Sequence, residues 1–170
     1  NHCSRMSTLG IFEDGGFAPY ARVPSSNAYK VDPAVSPEQA VFVEPLSCVV
    51  NGLAKLQITP GDRALIFGAG PMGQLFIHAL AASGVRSITV VEPAAGRAEL
   101  ARCSGATEVL DRPPNWQARP PREQNWNLVV DAVGVCLPEA MEAASTGAQI
   151  LLLGMREDAT QTVRQNDITR

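Results

Sequence analysis

Residues 64–80 read ALIFGAGPMGQLFIHAL: a short apolar run, a glycine cluster, then a longer apolar run. The first run has the length of a buried strand, and the second has that of a helix. Three glycines, Gly68, Gly70 and Gly73, interrupt this core-forming stretch, with Pro71 and Met72 among them. A flexible joint would have nothing to hinge, because buried elements flank the glycines on both sides. The alternative is a backbone kept bare so that something else can lie against it.

The rest of the chain sets the context for that loop. Apolar strand-like runs alternate with helical stretches from residue 64 onward: ALIF (64–67), SITVV (87–91), TEVL (107–110), NLVVDAV (127–133) and AQILLLG (148–154). Helices are expected from the glycines to about Ser83, over GRAELARCSG, and around Glu139–Ser145. Continuous apolar strands alternating with helices indicate a parallel sheet covered on both faces, and right-handed crossovers make it doubly wound. The fold class expected is therefore α/β. The segment DRPPNWQARPPREQ has no lasting apolar face and reads as a surface loop. Residues 1–35 are rich in Gly, Pro and Ser, with strand-like runs at GGFAPYARV and AYKV. Ser36 is a fair N-cap for a helix over SPEQAVFVEPLSCVVNGLAKL, with Pro37 at its first position; Pro45 is expected to split it, the second part ending near Leu56.

Placed between a first buried strand and a helix, Gly68-Ala69-Gly70-Pro71-Met72-Gly73 fits a dinucleotide-binding turn. Gly68 permits the tight turn, Gly70 leaves room for a pyrophosphate, and Gly73 lets the helix pack close to its strand. Backbone N–H groups and the positive end of the helix dipole then face the phosphates. Glu92 ends the second strand, roughly 20 residues beyond the third glycine, where a carboxylate accepts the adenosine ribose hydroxyls. It would repel a 2′-phosphate, so NAD is expected rather than NADP. Arg97 lies over that ribose or is simply a solvated helix residue. Val133, Gly134 and Gly154 fall at the carboxyl ends of later strands, the rim along which ligands of such sheets lie. A methyltransferase loop is the competing use of glycines here, but it usually lacks the third glycine at this spacing.

Composition narrows the partners. The 170 residues carry 14 Lys+Arg against 17 Asp+Glu, a net charge of −3, which offers no electrostatic reason for a nucleic-acid partner or an anionic membrane. Hydrophobic residues make up 45%, enough for a core. No apolar run approaches the roughly 18 residues of a membrane span, and no signal peptide opens the chain. The expectation is a soluble, cytoplasmic protein without a membrane partner. Cys48, Cys103 and Cys136 lack the close spacing of zinc or redox motifs and read as free buried thiols. His78 falls inside the glycine-loop helix, as packing or surface. The chain begins with Asn1 and ends at NDITR, as a piece of something longer would.

With these motifs in view, the chain resembles the zinc-dependent medium-chain dehydrogenase/reductase superfamily, in its alcohol, polyol and threonine dehydrogenase branch. The likeness rests on DGGFAPYARVPSSNAYKV, VEPLSC, PGDRALIFGAGPMG and VVDAVGV, in order along the chain. It implies that residues up to about 43 are the tail of a GroES-like catalytic β domain and that 44–170 form an NAD(P)-binding Rossmann domain. It implies a small-molecule alcohol or polyol substrate, oxidised to a ketone by hydride transfer. Glu44 matches the glutamate of the family's EP motif, which meets the catalytic zinc directly or through its water. Cys48, one helical turn on, matches a position touching the nicotinamide ring. Cys3 matches the fourth thiolate of a structural-zinc lobe. The family's other zinc ligands have no match in the sequence, so no catalytic set is complete and little or no activity is expected of this chain alone. The resemblance also implies a homo-oligomer built through a sixth strand, which the sequence stops short of. The alternatives are a zinc-free quinone or enoyl reductase, which normally lacks the EP glutamate and prefers NADPH, and a non-catalytic nucleotide-binding module.

Overall fold

A computed structural model of the chain describes residues 4–118 and 126–168. Two compact units result, one up to Val41 and one from Phe42 onward.

The first unit is irregular. Apart from an isolated bridge between Leu9 and Glu13, its described residues form no β-ladder, so the runs GGFAPYARV and AYKV are not strands. A strand needs a partner to take up its N–H and C=O groups. Neither run has one, and Phe17, Tyr20 and Tyr29 stand exposed. Among its described residues, regular structure is limited to a 3₁₀ turn at Ser25–Asn27 and helix α1 (Pro37–Ala40). The start of α1 is specified locally: the Ser36 hydroxyl accepts from the Gln39 N–H at 3.3 Å, and the Gln39 side chain accepts from the Ser36 N–H at 3.1 Å.

The second unit is an α/β domain. Helix α2 (Val43–Leu53) comes first, followed by β1 (Arg63–Phe67), α3 (Pro71–Ala82), β2 (Ser87–Val91), α4 (Ala95–Cys103) and β3 (Glu108–Leu110). A 3₁₀ turn at Trp116–Ala118 precedes β4 (Trp126–Asp131), α5 (Leu137–Ala143), β5 (Ala144–Leu152) and the short α6 (Gln165–Ile168). Pro45 does not split the helix where expected. The helical run breaks just ahead, between Ala40 and Val43, and Pro45 sits in the first turn of α2, where its missing N–H forfeits no intrahelical bond. β5 begins at Ala144, earlier than the apolar run suggests, because Ala144 still pairs with Trp126 across an irregularity in the β4–β5 ladder.

All strand pairs are parallel, in the order β3-β2-β1-β4-β5. Alternation along each strand divides the core into two. Ala64, Ile66, Ile88, Val90, Leu128 and Val130 pack with Val49 of α2, with Phe76, Ile77 and Leu80 of α3, and with Ala101 of α4. Leu65, Phe67, Val91 and Val129 turn to the opposite face, under Ala140 and Ala143 of α5. Helices on both faces make the sheet doubly wound. The chain reverses its winding between β1 and β4, and a ligand crevice opens above the strand ends at such a point. Register places Phe67, Val91 and Asp131 in one row at those ends.

The segment between β3 and β4 differs from its surface-loop reading. Trp116 is buried, edge-on to Phe67 (centroids 6.3 Å apart, planes at 83°) and to Trp126 (5.0 Å, 78°). One large side chain therefore helps α5 cover the second face of the sheet. The surrounding Pro and Arg conceal it in the sequence, because a single anchor has no periodicity. Trp116→Ala should lower unfolding stability by about 3 kcal/mol through loss of burial and a residual cavity; a urea-unfolding change well under about 1 kcal/mol would show that Trp116 does not support the core.

Candidate dinucleotide site

The glycine loop is set by one close approach. Gly68 leaves β1 at φ +88°, with its N–H still donating to Val91 O at 2.9 Å. A side chain there would strike Val133 Cγ2 at 2.8 Å as well as adopting a left-handed backbone. A Cβ on Gly73 would lie 2.0 Å from the Gly68 carbonyl oxygen. Helix α3 can therefore start directly over the strand end only if residue 73 is bare. Gly70, the N-cap, differs from both: a Cβ there meets nothing within 4 Å, so its bare backbone faces open space. No side chain among the described residues caps the helix, and Pro71 occupies its first position. The N–H groups of its first turn are thus free of a side-chain acceptor, and with the helix dipole they favour an anion. Met72 is half-buried and packs against the core cluster on the α3 side of the sheet.

Glu92 follows β2 directly and is buried. Its Oε2 accepts from the Ala69 N–H at 2.9 Å; its Oε1 accepts from the Ala94 N–H at 2.8 Å and from Arg97 Nη2 at 2.9 Å. Burial pushes this carboxyl up, but the two backbone donors and the guanidinium more than offset it. It is therefore held below the ordinary carboxylate range. A carboxylate offers about four acceptor positions, and three are filled here, all by donors that favour the ionised form. The sequence suggested two separate features, a bare loop and an acidic strand end. In the fold they touch. Arg97 is half exposed and engaged with Glu92, so it is not a purely solvated helix residue.

The far rim is organised by a residue that the sequence reading passed over. Asp131, wholly buried at the end of β4, accepts from the N–H groups of Val133 (2.9 Å), Gly134 (2.8 Å) and Cys136 (2.9 Å). Gln161 holds the same loop from the other side, accepting from the Leu137 N–H at 2.8 Å and donating to the Gly134 carbonyl at 3.2 Å. Gly134 and Gly154 pack backbone to backbone: a Cβ on Gly154 would lie 2.3 Å from Gly134 N. An aspartate closing a buried strand just before Ala-Val-Gly is the signal for such a turn, since its carboxylate can take the next N–H groups. Gln161 has no comparable local signal.

Glu44 and Cys48 lie one turn apart on α2, both exposed, with Cys48 Sγ 3.8 Å from Glu44 Oε1. Among the described residues no three His, Cys, Asp or Glu side chains group so as to hold a metal ion. This pair does not by itself make a zinc site, because zinc takes three or four protein ligands. Cys3 lies outside the described residues. The three described cysteines are free, but Cys48 and Cys103 are exposed rather than buried, and Cys136 is half-buried. Burial, with Asp131 and Glu139 nearby, pushes the Cys136 thiol up to about 11, so it is an unreactive thiol at neutral pH. His78 lies on the exposed face of α3. No helix among the described residues is long and apolar enough to cross a membrane.

The ionisation of Glu92 has a measurable consequence. A carboxyl whose folded-state value is depressed contributes stability above its unfolded value and loses it as pH falls through the folded one. Relative to Glu92→Gln, the wild type should therefore be the more stable protein at pH ~7, with the advantage shrinking toward pH ~3. Urea midpoints across that range measure it, and a pH-independent difference would contradict the ion-paired state of Glu92.

This geometry matches known proteins. A crystal structure of an Escherichia coli CFT073 alcohol dehydrogenase (rspB) complexed with NADH superimposes with a TM-score of 0.89 at 32% identity, covering 98% of this chain and 51% of that one. A Sinorhizobium meliloti 1021 protein solved with NADP bound gives a TM-score of 0.89 at 25% identity, covering 98% and 51%. D-arabinitol dehydrogenase 1 of Uromyces fabae is 28% identical over 168 residues, 94% of this chain and 48% of the enzyme. The chain spans about half the length of the curated relatives it matches. Residues 71–170 match the zinc-binding dehydrogenase family. A Rossmann-type sheet, a glycine turn closed by Glu92 and a family match over most of the second unit lead to one conclusion: the chain belongs to the zinc-binding, medium-chain dehydrogenases.

Proposed function

We propose that this chain is the NAD(H)-binding part of a zinc-dependent alcohol or polyol dehydrogenase, which oxidises a secondary alcohol reversibly to a ketone. The observation that carries the cofactor reading is the buried Glu92 carboxylate, hydrogen-bonded to the Ala69 N–H of the glycine loop. A pyrophosphate would lie against Gly70 and the first turn of α3, where the backbone is bare and uncapped. Glu92 has about one acceptor position left, enough for one adenosine ribose hydroxyl. A 2′-phosphate would have to share that place with a buried negative charge, which favours NAD over NADP. Solved relatives carry either NADH or NADP, so the preference rests on Glu92 itself.

Val133, Gly134 and Gly154 form the opposite rim, held in place by Asp131. The cofactor, when bound, supplies hydride transfer at its nicotinamide. Residues up to about 43 are read as the tail of a GroES-like catalytic domain. Glu44 and Cys48 are the side chains that would face the reacting end. The described residues do not complete a zinc site. The name of the arabinitol relative supports a polyol substrate class.

Calorimetric titration tests the reading. Wild type should bind NADH at least about tenfold tighter than NADPH, and Glu92→Ala should narrow that ratio. Equal affinity of the wild type for the two cofactors would refute the ribose role of Glu92.

A further inference from the structure

Gln74, in the first turn of α3, makes contacts that the glycine fingerprint does not require. Its Nε2 donates to the Ala69 carbonyl at 3.2 Å and to the Arg97 carbonyl at 3.4 Å. The Ala69 N–H is the group that Glu92 holds, and Arg97 in turn grips Glu92 through Nη2. Four residues thus close a ring, Glu92–Ala69–Gln74–Arg97, joining the glycine loop, α3, the end of β2 and α4. The amide has one workable orientation, since turning it over would set Oε1 against two carbonyl oxygens. Its Oε1 is buried and meets no donor among the described residues, so the nitrogen's contacts are what hold the side chain in place.

The ring fixes both peptide planes that flank Ala69. Glu92 holds the plane carrying the Ala69 N–H, and Gln74 holds the plane carrying the Ala69 carbonyl. In a trans peptide the following N–H points opposite to that carbonyl. Drawing the Ala69 carbonyl toward Gln74 therefore turns the Gly70 N–H away from Gln74.

The geometry points to Gln74 as a positioning residue of the dinucleotide site. It sets the Gly70 N–H for the pyrophosphate and ties that loop, through Arg97, to the carboxylate that meets the adenosine ribose. This rests on the NAD reading of the site. Loss of the tie loosens the loop and the specificity carboxylate together, so affinity and cofactor preference change in one step.

Gln74→Met keeps side-chain length and helix propensity but removes both donors; Gln74→Glu keeps the shape and also lacks them. Both are titrated calorimetrically with NADH and NADPH beside wild type, Glu92→Gln and the Gln74→Met/Glu92→Gln double variant, with thermal melts of each. Gln74→Met should bind NADH about tenfold more weakly and show a narrowed NADH-to-NADPH ratio. Its melting temperature should remain close to that of wild type, and Gln74→Glu should lose at least as much affinity. The double variant should lose less than the product of the single losses, because both substitutions cut the same ring. Unchanged NADH affinity in Gln74→Met, or an equal loss for both cofactors with strictly multiplicative losses in the double variant, overturns the proposal. Wild type that fails to bind NADH overturns the parent reading as well. Wild type that binds while Gln74→Met is indistinguishable from it overturns this inference alone.

Discussion

The contact between α3 and the end of β1 controls where everything else in the site can be. With residue 73 bare, the helix begins over the Gly68 carbonyl, and its uncapped first turn lies at the strand end rather than a side chain's width away. That places the dipole's positive end where the winding of the sheet reverses. Gly68 supplies the turn that makes the approach feasible, while its own N–H stays in register with Val91, so the loop departs from an undisturbed ladder. A methyl group at 73 would push the helix outward and carry its first-turn N–H groups away from the strand end.

Around that contact the protein holds charge in a particular way. Glu92 is buried, yet its carboxylate is ionised because each donor reaching it is either a fixed backbone N–H or a guanidinium. Hydrogen bonds of this charge-assisted kind are stronger than neutral ones, and they fix the loop that donates them. Asp131 plays the matching part at β4, drawing three backbone N–H groups into the turn that forms the other rim. Two buried carboxylates, one on each side of β1, thus order the two loops between which an extended ligand would lie. Each is satisfied by main-chain donors, so neither depends on a flexible partner alone.

Much of this was legible from residue order. The five strands, the glycine turn and the placement of Glu92 follow from apolar runs, turn chemistry and spacing, all of which are local. Several features were not legible, for identifiable reasons. Trp116 is a lone anchor in a Pro- and Arg-rich segment and has no period to betray it. The runs in the first unit carry strand-like composition, but a strand exists only with a partner, and no ladder forms among its described residues. Cys48 and Cys103 were expected to be buried because free cysteines usually are, yet the exposed sides of α2 and α4 carry them. The Gln74 ring joins residues from three elements, and no spacing rule connects them.

The sequence by itself determined the class of sheet, the order of its elements, the bare backbone at 68, 70 and 73, and the presence of an acidic residue at the end of the second strand. These depend on backbone freedom and on the two periodicities, which neighbouring residues impose on one another. Only the tertiary structure decided that the acidic residue grips the glycine loop, that Arg97 and Gln74 complete its surroundings, and that Asp131 orders the opposite rim. The grip of Glu92 on the glycine loop and the tie from Gln74 to Arg97 depend on the register of β1 beside β2, which brings residues 23 positions apart in the chain to within a hydrogen bond of one another.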